Sequence, residues 1–271
     1  MHEQIDDPAF RRAVDLLDAG DADGLRTHLS SHPGVVHQRV SIEPPSYFSY
    51  PTLLEFAAEN PARHGRLPAN IVEVAKVVLD AGAGEDKRGI DSALALVCSG
   101  KVPRECDVQV PLIDLLCDRG ADPNAAILSA LAHDETDAVV ALLRRGANID
   151  LTVAAATGQP EIARQCLASA SAGDRHRALA LAAQYGHVEI VRMLVDAGED
   201  PNRYNPPGCH PHSTPLHQAA LHGRDDVVRL LTERGARIDT KDSIYHGTPL
   251  DWTRHEGRKE IEEYLSRAGG S

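Results

Sequence analysis

The sequence predicts an all-α protein built from repeated helix pairs, and three observations predict it. The first is a period. Thr-Pro-Leu triplets begin at Thr214 and Thr248, 34 residues apart, and weaker copies of the same pattern run upstream. The second is composition: 42% of the 271 residues are hydrophobic but only 4% are aromatic, with alanine and leucine abundant, which favours helices over a β-sandwich. The third is the apolar pattern inside each copy, which follows helical spacing over two short stretches separated by a glycine.

One unit shows the physics. Thr214 caps a helix start and Pro215 occupies its first position, where the missing N–H costs nothing. Leu216, Ala219 and Ala220 form a narrow apolar face whose small side chains let neighbouring helices approach closely. Gly223 ends the first helix. Val227, Leu230 and Leu231 form the stripe of a second, antiparallel helix, and Gly235 ends that one. Equivalent anchors fall at Leu54, Leu94, Ile127, Leu151, Leu179 and Leu250, with a degenerate first unit around Ala13.

These residues resemble ankyrin repeats. The stretch "TPLHQAALHG…VVRLLTERGA" follows that pattern almost position by position, and the whole chain is similar to bacterial ankyrin proteins of unassigned activity. The resemblance implies an ankyrin-repeat solenoid in a single domain, 1–271, of about eight helix-pair units with projecting loops, or fingers. Approximate units are 8–40, 51–86, 89–124, 125–149, 150–174, 175–204, 213–240 and 247–268. It also implies that His217 and His187 are structural, with His217 bonding finger backbone and tying units together. Such stacks bind proteins through the fingers and the concave face of the first helices.

The chain departs from the pattern in an ordered way. From Ile127 to Leu151 the anchors are 24 apart and from Leu151 to Leu179 they are 28 apart, so two central units have almost no finger. Long fingers are expected at "RVSIEPPSYFSYPT" and "EDPNRYNPPGCHPHS". Insertions at 60–70 and 99–111 fall between the two helices of their units, on the edge opposite the fingers, where they are expected to pack side by side.

Function is read from what projects. Tyr47, Phe48, Tyr50, Tyr204 and Tyr245 lie in predicted fingers, where aromatic side chains give large contact areas at low entropy cost or pack one finger on the next. His210, His212 and His246 are finger residues as well. Tyr185, His222 and His255 stand at or near first-helix ends, facing the groove. Phe56 and Trp252 lie within first helices and read as core. Cys209, His210 and His212 supply at most three of the four ligands that a structural zinc needs, so no metal is expected. No GxSxG, HExxH, GxxxxGK[ST] or GxGxxG motif occurs, so neither an enzyme nor a cofactor is expected.

Net charge −12 argues against a surface that tracks nucleic-acid phosphates and suits a basic protein partner. Five cysteines without a CxxC pair argue against a disulfide framework. No apolar run approaches the roughly 18 residues of a membrane span, and the N-terminus lacks signal-peptide features. A cytoplasmic monomer that binds a protein is expected. A narrower alternative is an immunity or antitoxin-like inhibitor of a basic effector. An alternative of another class is a metal or enzymatic site on the Cys209–His212 loop.

Overall fold

The computed structural model describes residues 5–43 and 47–269. Met1–Gln4 and the finger residues Pro44, Pro45 and Ser46 lie outside it. Among the described residues every regular element is helical and none is a strand. No helix among them is long and apolar enough to cross a membrane. The chain divides into two compact units, 1–147 and 148–271.

The first unit begins with α1 (Pro8–Asp18), whose start is capped by Asp7 Oδ1 accepting from Ala9 N at 2.8 Å and Phe10 N at 2.9 Å. α2 (Ala22–Ser31) follows. The next repeat opens on a 3-10 turn, Leu53–Ala58, rather than an α-helix, and returns through α3 (Ile71–Asp80). Then come α4 (Lys87–Cys98), the short α5 (Lys101–Glu105), α6 (Gln109–Asp118), α7 (Pro123–Ala132) and α8 (Thr136–Arg144). The 99–111 insertion therefore carries a helix of its own.

The second unit runs from α9 (Leu151–Ala156) and α10 (Pro160–Leu167) through α11 (Ala172–Tyr185), α12 (Val188–Asp196), α13 (Pro215–Leu221) and α14 (Asp225–Glu233) to α15 (Pro249–His255) and α16 (Lys259–Gly269). Its core is one cluster in which Leu179, Ile190, Leu194, Leu216, Leu230, Leu231 and Ile261 are almost fully buried among small alanines such as Ala182, Ala183, Ala219 and Ala220. Anchors Leu54, Leu94, Ile127, Leu151, Leu179 and Leu216 are all buried; Leu250 is only partly so.

Repeats are stitched polar group to polar group. His217 Nδ1 accepts from Thr214, 3.2 Å from its N and 2.8 Å from its Oγ1, so Nε2 carries the proton and donates to Gly247 O at 3.2 Å. His187 Nε2 donates backwards to Ala156 O at 3.0 Å. In the first unit Glu55 occupies the place of His217: its Oε2 accepts from Thr52 N at 2.6 Å and its Oε1 from Ser92 Oγ at 2.5 Å. A second series joins the ends of successive second helices. Arg119 pairs with Asp80 at 2.6 Å, Arg145 with Asp118, and Arg234 with Asp196.

Two expectations need correction. Phe48 is not a projecting finger residue. Ile42 N donates to Ser49 O at 2.8 Å, closing the base of the finger, and Phe48 turns inward to 3% exposure with its ring 5.2 Å from Phe56. Nor is the insertion edge clear of the fingers. Tyr47 of the long finger donates its hydroxyl to Asn60 Oδ1 at 3.0 Å. Asn60 Nδ2 in turn donates to Leu96 O at 2.9 Å and Ser99 Oγ at 3.1 Å, so the two insertions do adjoin, around a cavity of about 470 Å³ that Tyr47 also lines.

Candidate functional site

In the second unit the fingers are built as a bonded series. Glu199 opens the first; it is buried and pairs with Arg175 at 2.9 Å. His176, buried in α11, donates Nε2 to Tyr204 O at 2.8 Å. The Tyr204 hydroxyl donates to Lys241 O of the following finger at 2.6 Å. Asn205 N donates to Ser213 O at 2.7 Å, closing a loop that holds Cys209 inside. Ser243 N then donates to His212 O at 2.8 Å, so the 199–213 and 236–248 segments are linked at two places.

Asp242 organises the last finger. It is 1% exposed and accepts four hydrogen bonds: from Ile244 N at 2.9 Å, Tyr245 N at 2.6 Å, Gly247 N at 2.9 Å and the Trp252 indole at 3.1 Å. Burial pushes its pKa up. The Tyr245, Ile244, Trp252 and Gly247 donors outweigh burial and hold it at about 2. The carboxylate thus turns a loop into a rigid tip on which Ile244 and Tyr245 stand 58% and 76% exposed.

Beside that tip is a cavity of about 610 Å³, lined by His212, Tyr245, Trp252 and His255 together with Asp251 and Glu256. His212 lies between the rings, 6.3 Å from Tyr245 and 5.9 Å from Trp252, and His217 backs the indole at 5.0 Å. Gly247 leaves little room: a Cβ there would stand 3.1 Å from Trp252 Cδ1 and 3.3 Å from Asp242 Oδ2, so the indole or the carboxylate would have to shift by a few tenths of an ångström.

The structure therefore brings His212, Tyr245 and His255 together and adds Trp252, read from sequence as core but half-buried here. His246 is exposed on the same fingertip, and His210 sits 6.0 Å from His212 with its ring perpendicular. Tyr204, 44% exposed, spends its hydroxyl between fingers. Tyr185 ends α11 and His222 caps the end of α13; both are half-buried and outside the lining of this cavity. In the first unit Tyr47 and Tyr50 are 71% and 65% exposed.

The Cys209 thiol is 1% exposed, and burial raises its pKa to about 11, which disfavours the thiolate that a metal would need. Among the described residues no three His, Cys, Asp or Glu side chains gather as metal ligands. Asp242 and His176 went unread in the sequence.

Residues 151–242 match the family model described as ankyrin repeats (3 copies). Cyclin-dependent kinase 4 inhibitor B of Rattus norvegicus is 32% identical over 127 residues, covering 36% of this chain and 97% of that protein. The human protein of the same name is 31% identical over 129 residues, covering 37% and 93%. Palmitoyltransferase Hip14 of Drosophila melanogaster is 35% identical over 88 residues, covering 32% of this chain but only 13% of that protein, whose activity remains its own. With the repeated helix pairs, the capped Thr-Pro-Leu starts and these likenesses together, the chain belongs to the ankyrin-repeat proteins.

Proposed function

We propose that the protein is a non-enzymatic, cytoplasmic scaffold, of the bacterial kind its sequence resembles, that binds a protein partner through its finger tips and adjoining groove as a monomer. One observation carries this reading. Ile244 and Tyr245 are large, exposed and held on a tip that Asp242 has already ordered, so burying them under a partner would cost little further entropy. The likeness to proteins named as kinase inhibitors supports action by binding rather than by chemistry. Capture from the native cell with the full chain, set against an Ile244→Ala, Tyr245→Ala variant, tests it. The variant should lose the partner while melting as the parent does; undiminished capture would end the reading.

Net charge −12 favours a second, narrower version, an immunity or antitoxin-like inhibitor masking a basic effector. Co-purification with a basic protein, weakening steeply with salt, is its expected signature. The alternative of a metal or enzymatic loop at Cys209–His212 draws no support from a thiol buried in this way; about one zinc per purified chain would revive it.

A further inference from the structure

The cavity beside Trp252 has walls of rings and a rim of acid. Trp252, Tyr245 and His212 supply aromatic surface, and Asp251 and Glu256 supply carboxylates. The indole is held in place by two contacts: its N–H is committed to Asp242, and His217 backs its ring. The carboxylates are weakly neutralised. Asp251 Oδ2 accepts from Thr248 N at 2.9 Å and Oγ1 at 2.8 Å; its nearest cations are Arg254, at 3.9 Å from Oδ1 with its Nε given to Glu262 at 3.0 Å, and Lys241, which acts on it through charge alone. Glu256 lies 4.0 Å from His255, which is cationic only when protonated.

From this geometry we infer that the cavity takes the side chain of an arginine, presented by an extended basic segment of the partner protein. The inference rests on the protein-binding reading above. A guanidinium meets both kinds of surface at once. Its plane stacks on an aromatic face, and its edge forks toward a carboxylate. Its methylene stem covers the apolar part of the lining, Leu221. A lysine is a compact point charge that cannot stack flat, so it should bind less well. The chain's charge of −12 draws such a segment in, and salt should weaken the encounter.

Trp252 is the only tryptophan in the chain, so one indole N–H resonance reports on the cavity. The experiment titrates the full chain with a blocked Gly-Ser-Arg-Ser-Gly peptide and with versions carrying Lys, Gln or Leu at the centre. The arginine peptide should move the indole resonance saturably. The lysine peptide should bind about threefold more weakly, and the glutamine peptide should cause no saturable shift. Tyr245→Ala and Glu256→Gln, both at exposed side chains, should each weaken arginine binding by about threefold or more. A leucine peptide that binds as well as the arginine one would make the cavity a plain apolar pocket and overturn the proposal. So would an indole resonance that stays in place, or a Glu256→Gln protein that binds as tightly as the parent. Partner capture that depends on Tyr245, together with an arginine peptide that leaves the indole unmoved, would sink this inference and leave the scaffold standing. Peptide binding together with capture indifferent to Ile244 and Tyr245 would sink the finger-tip reading and, with it, a partner's arginine as the occupant of this cavity.

Discussion

Glu55 in the first unit and His217 in the second hold the same post with opposite chemistry. Each accepts from the threonine that starts its own turn, Thr52 or Thr214, and each reaches the following repeat. Glu55 reaches forward as an acceptor, toward the Ser92 hydroxyl; His217 reaches forward as a donor, toward the Gly247 carbonyl. Both are nearly fully buried. The position thus demands an acceptor with length; at His217 the Gly247 carbonyl fixes the forward bond as a donation, while at Glu55 the carboxylate fixes it, because the Ser92 hydroxyl can serve either way.

The sharpest way to break this comparison is to give the second unit the first unit's residue. His217→Glu would place a buried carboxylate against the Gly247 carbonyl without a donor, at a cost of about 3–5 kcal/mol. Urea unfolding checks it, and a loss below about 1 kcal/mol would show that the site rearranges freely. Core packing should not distinguish the units: Leu54→Ala and Leu216→Ala should each cost roughly 2–5 kcal/mol, because each empties a closed helix contact.

Acid should act on the second unit in two stages. Burial lowers the His217 pKa against the Gly247 bond and the Asp242 charge, which both raise it. Its folded value lies below its unfolded one, near 6.5, so the neutral ring's contribution is complete above about pH 6.5 and is lost as pH falls through the lowered value. Asp242, held at about 2, keeps its contribution down to about pH 4 and loses it on the way to 2. Trp252 contacts both groups, so its fluorescence should change in two steps. His217→Gln should abolish the upper step and Asp242→Asn the lower one; a single step in the parent protein would uncouple the indole from one of them.

Smaller effects follow. Glu55→Gln should cost only about 1 kcal/mol, since the Ser92 hydroxyl can turn to accept from the new amide. Tyr245→Ala should change stability by no more than about 0.5 kcal/mol, as an exposed tip residue. A tyrosine variant that melts as early as Leu216→Ala would move Tyr245 from contact to packing.

The helix pairs, their anchors and the place of His217 were legible because they recur at a fixed period, and burial of Leu94, Leu179 and Leu216 depends on that period alone. What lay between repeats was less legible. Asp242 is one of forty acidic residues, and only the loop that folds round it sets it apart. His176 precedes the anchor pattern because α11 starts earlier than the period implies. Tyr47 and Phe48 are adjacent in sequence, yet one stands in solvent and the other under Phe56, because finger pairing decides which side faces in. Trp252 read as core by position, but the tip beside it leaves its ring at the wall of a cavity.

The pairing of second-helix ends has a direction. At the end of α6 the adjacent residues Asp118 and Arg119 serve opposite neighbours: Arg119 reaches back to Asp80, and Asp118 receives Arg145. This helix end holds out one hand to its predecessor and one to its successor, whereas the end of α3, where Ala81 follows Asp80, only receives. In α8 the place of Asp118 is taken by Arg144, which also turns back, to Asp114 at 2.9 Å. Within the first unit the series is therefore polar, like a train whose couplings differ at front and rear. A duplicated α6-type repeat would couple at both ends without further change. A duplicated α8-type repeat would set arginine against arginine, so growth by copying is open at the middle of this row and closed at α8.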